Sequence, residues 1–264
     1  MHQAFSDDSM SLDGDKTLLL AACVQKYSAW ADFSVAWESA LALPPSINYF
    51  KMREARSLTK EFQGWKPADR DAKIKLLVRV MVDYHPQLVT AWISRKEFDE
   101  IVKPVIPYMV WHPYIPLFYA LIISLAEWQH GAGMTIPTDF VFDEQGSVGA
   151  EAVIWYAFMK STVQPHIAAL MGSTPVFRDD KFILPLQGAD IAAWHERRVI
   201  DYPHENKSSL PTAELGRLSC CGIHLNKTYL TQVATEMARV PNIELAQVKP
   251  KDYIPGKLPE ENNQ

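Results

Sequence analysis

Cysteine is scarce in this sequence, and the short motifs of several common chemistries are missing. Its three cysteines, Cys23, Cys220 and Cys221, form no CxxC pair. Adjacent cysteines seldom bridge each other, so a disulfide framework is set aside, and free thiols suit a reducing cytoplasm. No two of the eight histidines stand three or four residues apart, which removes the usual helical zinc pair. A GxSxG elbow, a Walker A loop and a GxGxxG fingerprint are all absent, which sets aside most serine-hydrolase, NTPase and dinucleotide readings. A basic excess is also missing. The formal net charge is -5, which speaks against simple coating of DNA but leaves room for an enzyme with a local basic cleft. No basic stretch precedes an early apolar run, because Asp7 and Asp8 stand there instead, so no signal peptide is expected and a cytoplasmic location is.

The longest stretch without a formal charge, from Pro104 to Ala126, has the length of a bilayer span. Pro104, Pro107, Pro113 and Pro116 interrupt it, and the clean segment from Leu117 to Ala126 is too short to cross. It reads as a buried core helix, with no membrane association. The remainder is rich in aromatics, with eight Trp, ten Tyr and eleven Phe, enough for a large core without metal or disulfide staples.

An alternating segment from His2 to Asp8 and an apolar run from Thr17 to Val24 predict a hairpin. Helices are expected from Ser28 to Leu43, from Pro67 through Met81, from Pro116 to His130, from Glu151 to Met171 with a break at Pro165, and from Leu186 to Asp201. Strands are expected at Ile47–Met52, Gln87–Ser94, Thr138–Phe142 and Pro175–Phe182, and one further strand and helix between Gly216 and Val240. Strands alternating with helices after a hairpin predict an α/β (α+β) fold, a mixed sheet flanked by helices with helical insertions. Residues 1–240 read as one domain, and 241–264, rich in Pro, Lys, Glu and Asn, as a loosely held tail.

Carboxylates stand at three element ends. Ser6-Asp7-Asp8-Ser9 closes the first strand, with Asp7 on the face of Phe5 and Asp8 on the face of Ser6. Phe142-Asp143-Glu144-Gln145-Gly146 closes the mid-chain strand. Leu186-Gln187-Gly188-Ala189-Asp190 opens a helix whose apolar surroundings make a lone acid costly. Each has an ordinary alternative: Asp at a turn, or an acid near a helix N-terminus. Together they predict a site for a hard divalent cation, Mg²⁺ or Mn²⁺, which prefers carboxylate oxygens. Two such ions roughly 3.5–4 Å apart can activate water and stabilise a leaving oxygen in phosphodiester cleavage.

In that order these segments resemble the prokaryotic family called domain of unknown function 3800, from about Phe5 to Arg198. Its sequences carry a strand ending in Asp-Glu-Ser, matched here by Asp7-Asp8-Ser9 with Asp8 in place of Glu. A mid-chain strand ending in Asp-Glu or Asp-Arg is matched by Asp143-Glu144. A Leu-Gln-x-Ala-Asp helix, often after an Asp-Lys or Ser-Lys pair, is matched by Leu186 to Asp190 after Asp180-Lys181. The resemblance implies a ribonuclease-H-like fold and carries over Asp7, Asp143 and Asp190 as metal-binding and catalytic residues. Glu144 is a further catalytic candidate and Asp180 a further metal ligand.

Phosphate-holding groups for such a nuclease could come from Lys51, Arg53, Arg56 and Lys60, from Lys66, Arg70, Lys73, Lys75 and Arg79, or from Arg197 and Arg198. Interleaved acids make solvated faces the plainer reading of these clusters. His195, beside the acidic helix, is a candidate for proton transfer, with a surface role as its plainer alternative. The leading expectation is a metal-dependent nuclease or phosphodiesterase acting on nucleic acid. Its alternatives are a non-catalytic interaction or binding protein on the same fold, and an apolar-pocket binder built around Pro104 to Ala126.

Overall fold

The computed structural model describes residues 1–10, 17–105, 112–203 and 210–239. The hairpin loop at 11–16 and the expected tail at 241–264 lie outside the described residues. In chain order the elements are β1 (His2–Met10), β2 (Thr17–Lys26), α1 (Tyr27–Ala42), α2 (Met52–Ser57), α3 (Pro67–Tyr84), β3 (Gln87–Ser94) and α4 (Arg95–Glu97), which runs on into a π-helical turn at Phe98–Val102. They continue with α5 (Tyr114–Gly131), β4 (Thr138–Asp143), α6 (Gly146–Thr162), α7 (Pro165–Ala168), β5 (Val176–Arg178), α8 (Leu184–Asp201), β6 (Cys220–His224) and α9 (Lys227–Arg239).

Among the described residues six strands form one mixed sheet in the order β5-β4-β1-β2-β3-β6. β1, β2 and β3 pair antiparallel. β4 joins β1 in parallel, β5 joins β4, and β6 joins β3 on the other side. An antiparallel three-strand meander extended by parallel strands, with helices on both faces, is the α/β arrangement expected of a ribonuclease-H-like fold.

β2 sits at the centre, and its run Thr17 to Val24 is buried throughout. Leu18, Leu20, Ala22 and Val24 belong to one core, with α5 and α6; Leu19, Ala21 and Cys23 belong to the other, with α1, α3 and α8. That two-sided burial is why the run carries no polar alternation. The uncharged segment after Pro113 becomes α5, with Leu117, Phe118, Leu121, Ile122 and Leu125 packed beneath the sheet. Among the described residues no helix is long and apolar enough to cross a membrane.

On the opposite face α8 lies against β1 and β2. Gly188, Ala189, Ala192 and Ala193 form its buried side, and small side chains let a helix approach a sheet closely. A Cβ on Gly188 would lie 2.6 Å from Met81 Sδ, so the α3 methionine fills the room a side chain would take.

Three expected elements differ. Ile47–Met52 is not a strand: the chain is irregular there until α2 starts at Met52. The main-chain N–H groups of Phe50 and Met52 bond to side chains of α8, and that of Asn48 to Glu61, instead of to a neighbouring strand. The strand expected at Pro175–Phe182 contracts to Val176–Arg178, so Asp179 and Asp180 stand in the turn after it. The helix expected at Glu151–Met171 is two helices, α6 and α7, separated before Pro165, whose ring cannot continue a helical turn.

Candidate metal centre

Asp7 lies near the end of β1, on the face covered by α8. Phe5 pairs with Val141 and Ser6 with Phe142, so Asp143 closes β4 and Asp7 follows the last β1–β4 pair, in a strand that continues to Met10. Asp7 is 7% exposed, and its Oδ1 accepts the Asp8 N–H at 2.7 Å. Asp143 Oδ1 accepts the main-chain N–H of Asp180 at 3.1 Å. That bond ties the turn after β5 to the end of β4 and turns the Asp180 side chain inward, where it is 1% exposed.

The third contribution descends from α8. Asp190 Oδ2 accepts the Met52 N–H at 2.6 Å. One turn earlier, Gln187 is fully buried. Its Oε1 accepts Trp37 Nε1 at 2.9 Å and the Phe50 N–H at 3.1 Å, and its Nε2 donates to the Asp180 carbonyl at 3.0 Å. Lys51, between the two bonded residues, places Nζ 2.8 Å from Asp180 Oδ1. Phe50, Lys51 and Met52 therefore hold the acidic turn and the acidic helix together from one side.

Asp7, Asp180 and Asp190 each offer a carboxylate oxygen within 4.8 Å of the others, a group that could hold a metal ion. Asp143 stands beside the group, close enough to act electrostatically on Asp7 and Asp190. The Glu144 side chain is exposed in the connection to α6. Asp8 points to the other face, as strand alternation requires. There its Oδ1 accepts Gln145 Nε2 at 2.6 Å, and its charge acts on the buried Tyr114 hydroxyl.

Burial and crowding make these carboxyls weak acids. Burial raises Asp7 well above the usual carboxylate range, reinforced by repulsion from Asp190, Asp8 and Asp143. Burial pushes Asp190 up to about 7, with Asp180 and Asp143 adding to the rise and the Met52 N–H and Lys51 opposing it. Asp180 is pushed up to about 6 by burial against the pull of Lys51. Asp143 is raised as well, chiefly by burial and against Lys51. Partial burial works against the Lys51 ammonium, but Asp180, Asp143 and Asp190 outweigh it and raise its pKa above the ordinary lysine value. Four carboxyls thus face one ammonium. Ionising them all is unfavourable unless further positive charge arrives.

The other candidates have structural partners. His195 is buried, its Nδ1 3.0 Å from Thr212 Oγ1, and burial lowers its pKa. Arg197 is also buried, donating to Ser9 Oγ and pairing with Asp201. Arg198 stacks over Trp194 and Tyr202. Lys73 is 3% exposed and donates to the carbonyls of Ala40, Leu41 and Leu43, capping the end of α1. Arg70 pairs with Asp71 and Arg79 with Asp83. Arg53, Arg56, Lys60, Lys66 and Lys75 are exposed. Of these cations, Lys51 is the one paired with the cluster, although the acids interleaved around it in the sequence give that stretch the pattern of a solvated face. Its sequence signal is its apolar flanks, Phe50 and Met52, which are both buried. The outer side of α5, with Tyr119, Ile123, Glu127 and His130, lines an open cleft of about 410 Å³ facing α7.

Comparison of the chain with protein-family models, with curated proteins and with solved structures gives no match.

Proposed function

We propose that this chain is a metal-dependent phosphodiester hydrolase acting on nucleic acid, with Asp7, Asp180 and Asp190 holding Mg²⁺ or Mn²⁺. The observation that carries the reading is the convergence itself. Three aspartates from a strand, a turn and a helix bring their oxygens within 4.8 Å of one another, against burial and mutual repulsion. The donor set fits a hard divalent cation: it is all carboxylate, with no histidine or cysteine among the three. The α/β sheet order and the resemblance of the three acidic segments to domain of unknown function 3800 support the same reading.

When bound, the cation would supply charge neutralisation and an activated water for attack on a phosphodiester. The chain's own groups do the rest. Asp143 positions Asp180 through its main-chain N–H. Gln187 fixes the carbonyl of the same residue. Lys51 offers the nearby ammonium that a phosphate oxygen needs. Glu144, exposed and next to Asp143 in the chain, is the remaining candidate for proton transfer.

The test is cleavage of mixed single- and double-stranded DNA and RNA by the wild type and Asp190→Asn, with Mn²⁺, with Mg²⁺ and with EDTA. Metal-dependent cleavage by the wild type, reduced at least a hundredfold in the variant, is the expected result. Equal cleavage by both refutes the site. A second reading, a non-catalytic binding protein on the same fold, has a specific observation behind it. Asp7 and Asp180 are 7% and 1% exposed, which leaves a phosphate little access to them. Mn²⁺ binding without cleavage of any substrate would favour it.

A further inference from the structure

Beside the carboxylates, on the same face of the sheet, β1, the start of α1 and the segment entering α8 enclose an open groove of about 340 Å³. Its floor is apolar: Phe5 and Trp30 are 6% and 3% exposed and meet edge to face at 5.1 Å. Two aromatic rings stand out at its margins. Phe182 is 80% exposed and Tyr27 62%. An exposed phenyl ring of that extent costs solvation without adding to the core. Gln3 and Ser34 add polar edges to the groove.

A lysine neighbours each of these rings in the chain, outside the lining of the groove itself. Exposed Lys26 immediately precedes Tyr27, and exposed Lys181 immediately precedes Phe182. None of the residues lining the groove is charged, although the whole chain carries a net charge of -5. Lys181 Nζ also lies 5.4 Å from the ring centre of Tyr49, two residues before Lys51. The groove is continuous with the carboxylates along the chain. Phe182 is two residues beyond Asp180, and Phe5 is two residues before Asp7, about 7 Å along the strand.

We infer that this groove is a base-stacking subsite for single-stranded nucleic acid, in which Phe182 and Tyr27 hold an unpaired base while Lys26 and Lys181 hold the adjoining phosphates. The inference rests on the phosphodiesterase reading and narrows its substrate class. Aromatic faces interleaved with cations are the means by which proteins bind single strands with little regard to sequence. A base inside a duplex has both faces covered by its neighbours and cannot enter. The groove's volume, near the lower end for ligand clefts, suits one base and its sugar.

The test is fluorescence anisotropy with labelled oligothymidylate, oligouridylate and a DNA duplex, in EDTA so that binding is read without cleavage. Wild type, Phe182→Ala, Tyr27→Ala and Phe182→Trp are compared. Each alanine variant is expected to bind both single strands about tenfold more weakly, with duplex affinity unchanged and Phe182→Trp close to wild type. Both rings are exposed, so neither replacement should disturb folding. Equal single-strand affinity in wild type and Phe182→Ala overturns the inference. So does concentration-dependent dimerisation that Phe182→Ala abolishes, since the groove would then seat a second copy. Metal-dependent cleavage by the wild type separates the two ideas. Cleavage with affinity indifferent to Phe182 refutes the subsite alone. Phe182-dependent binding without cleavage refutes the phosphodiesterase and leaves the subsite standing.

Discussion

Replacing Asp190 by Asn should make the metal-free protein more stable at alkaline pH, although it removes a proposed ligand. Burial first, and then Asp180, raise the Asp190 carboxyl from 3.8 to about 7. A carboxyl whose folded pKa lies above its unfolded value binds its proton more tightly in the folded state. Its contribution therefore favours folding at low pH and is lost as pH rises from about 4 to about 7. A shift of roughly three units corresponds to at most ~4 kcal/mol for this one ionisation. Asp190 is only half-buried, so water and relaxation reduce that to about 2 kcal/mol. Asparagine keeps an oxygen for the Met52 N–H and removes the charge. Urea unfolding in EDTA should show the wild type losing stability between pH 5 and pH 8, with a smaller loss in the variant. At pH 8 the variant should melt about 4–8 °C higher. Saturating Mn²⁺ should reverse the order, adding about 2.7 kcal/mol to the wild type at a hundred times its Kd and less to the variant. A variant less stable than the wild type at pH 8 in EDTA would refute the claim that the carboxylates are held together against repulsion.

Two further outcomes follow from the same geometry. Lys51→Met should tighten Mn²⁺ binding by about tenfold, because the ammonium paired with Asp180 is removed, while cleavage falls; calorimetric titration reads the first effect, and weaker Mn²⁺ binding would contradict it. Gln187→Ala should destabilise the fold by about 3 kcal/mol or more, since it strands Trp37 Nε1, the Phe50 N–H and the Asp180 carbonyl; urea unfolding measures it, and a loss below about 1 kcal/mol would show that water replaces the amide.

Much of the fold was legible because the local patterns were strong. The Gln87–Ser94 strand, the Pro67 helix start and the two-sided apolar run of β2 follow from periodicity and capping rules that act over a few residues. Ile47–Met52 misled for the same reason. Its apolar, β-prone residues read as a strand, but the main-chain N–H groups of Phe50 and Met52 bond to Gln187 and Asp190, more than 130 residues away in the chain. Asp180 was legible as a member of the acidic set but not as one of the three converging side chains. The expected strand continued past it, whereas β5 stops at Arg178 and the turn swings its carboxyl inward.

By itself the sequence determined which residue types were available at the element ends: Asp7, Asp143 and Asp190, with an acid inside the apolar start of a helix. It also determined, through alternation, that Asp7 and Asp8 face opposite ways. Only the tertiary structure decided that Asp180 joins Asp7 and Asp190, that Asp143 stands beside them, and that Lys51 is their ammonium partner. Alternation and helical period act over a few neighbouring residues and assign a side chain to a face. Which charges meet depends on how closely α8 packs on β1 and where the chain turns after β5, and those are set by contacts between segments far apart in sequence.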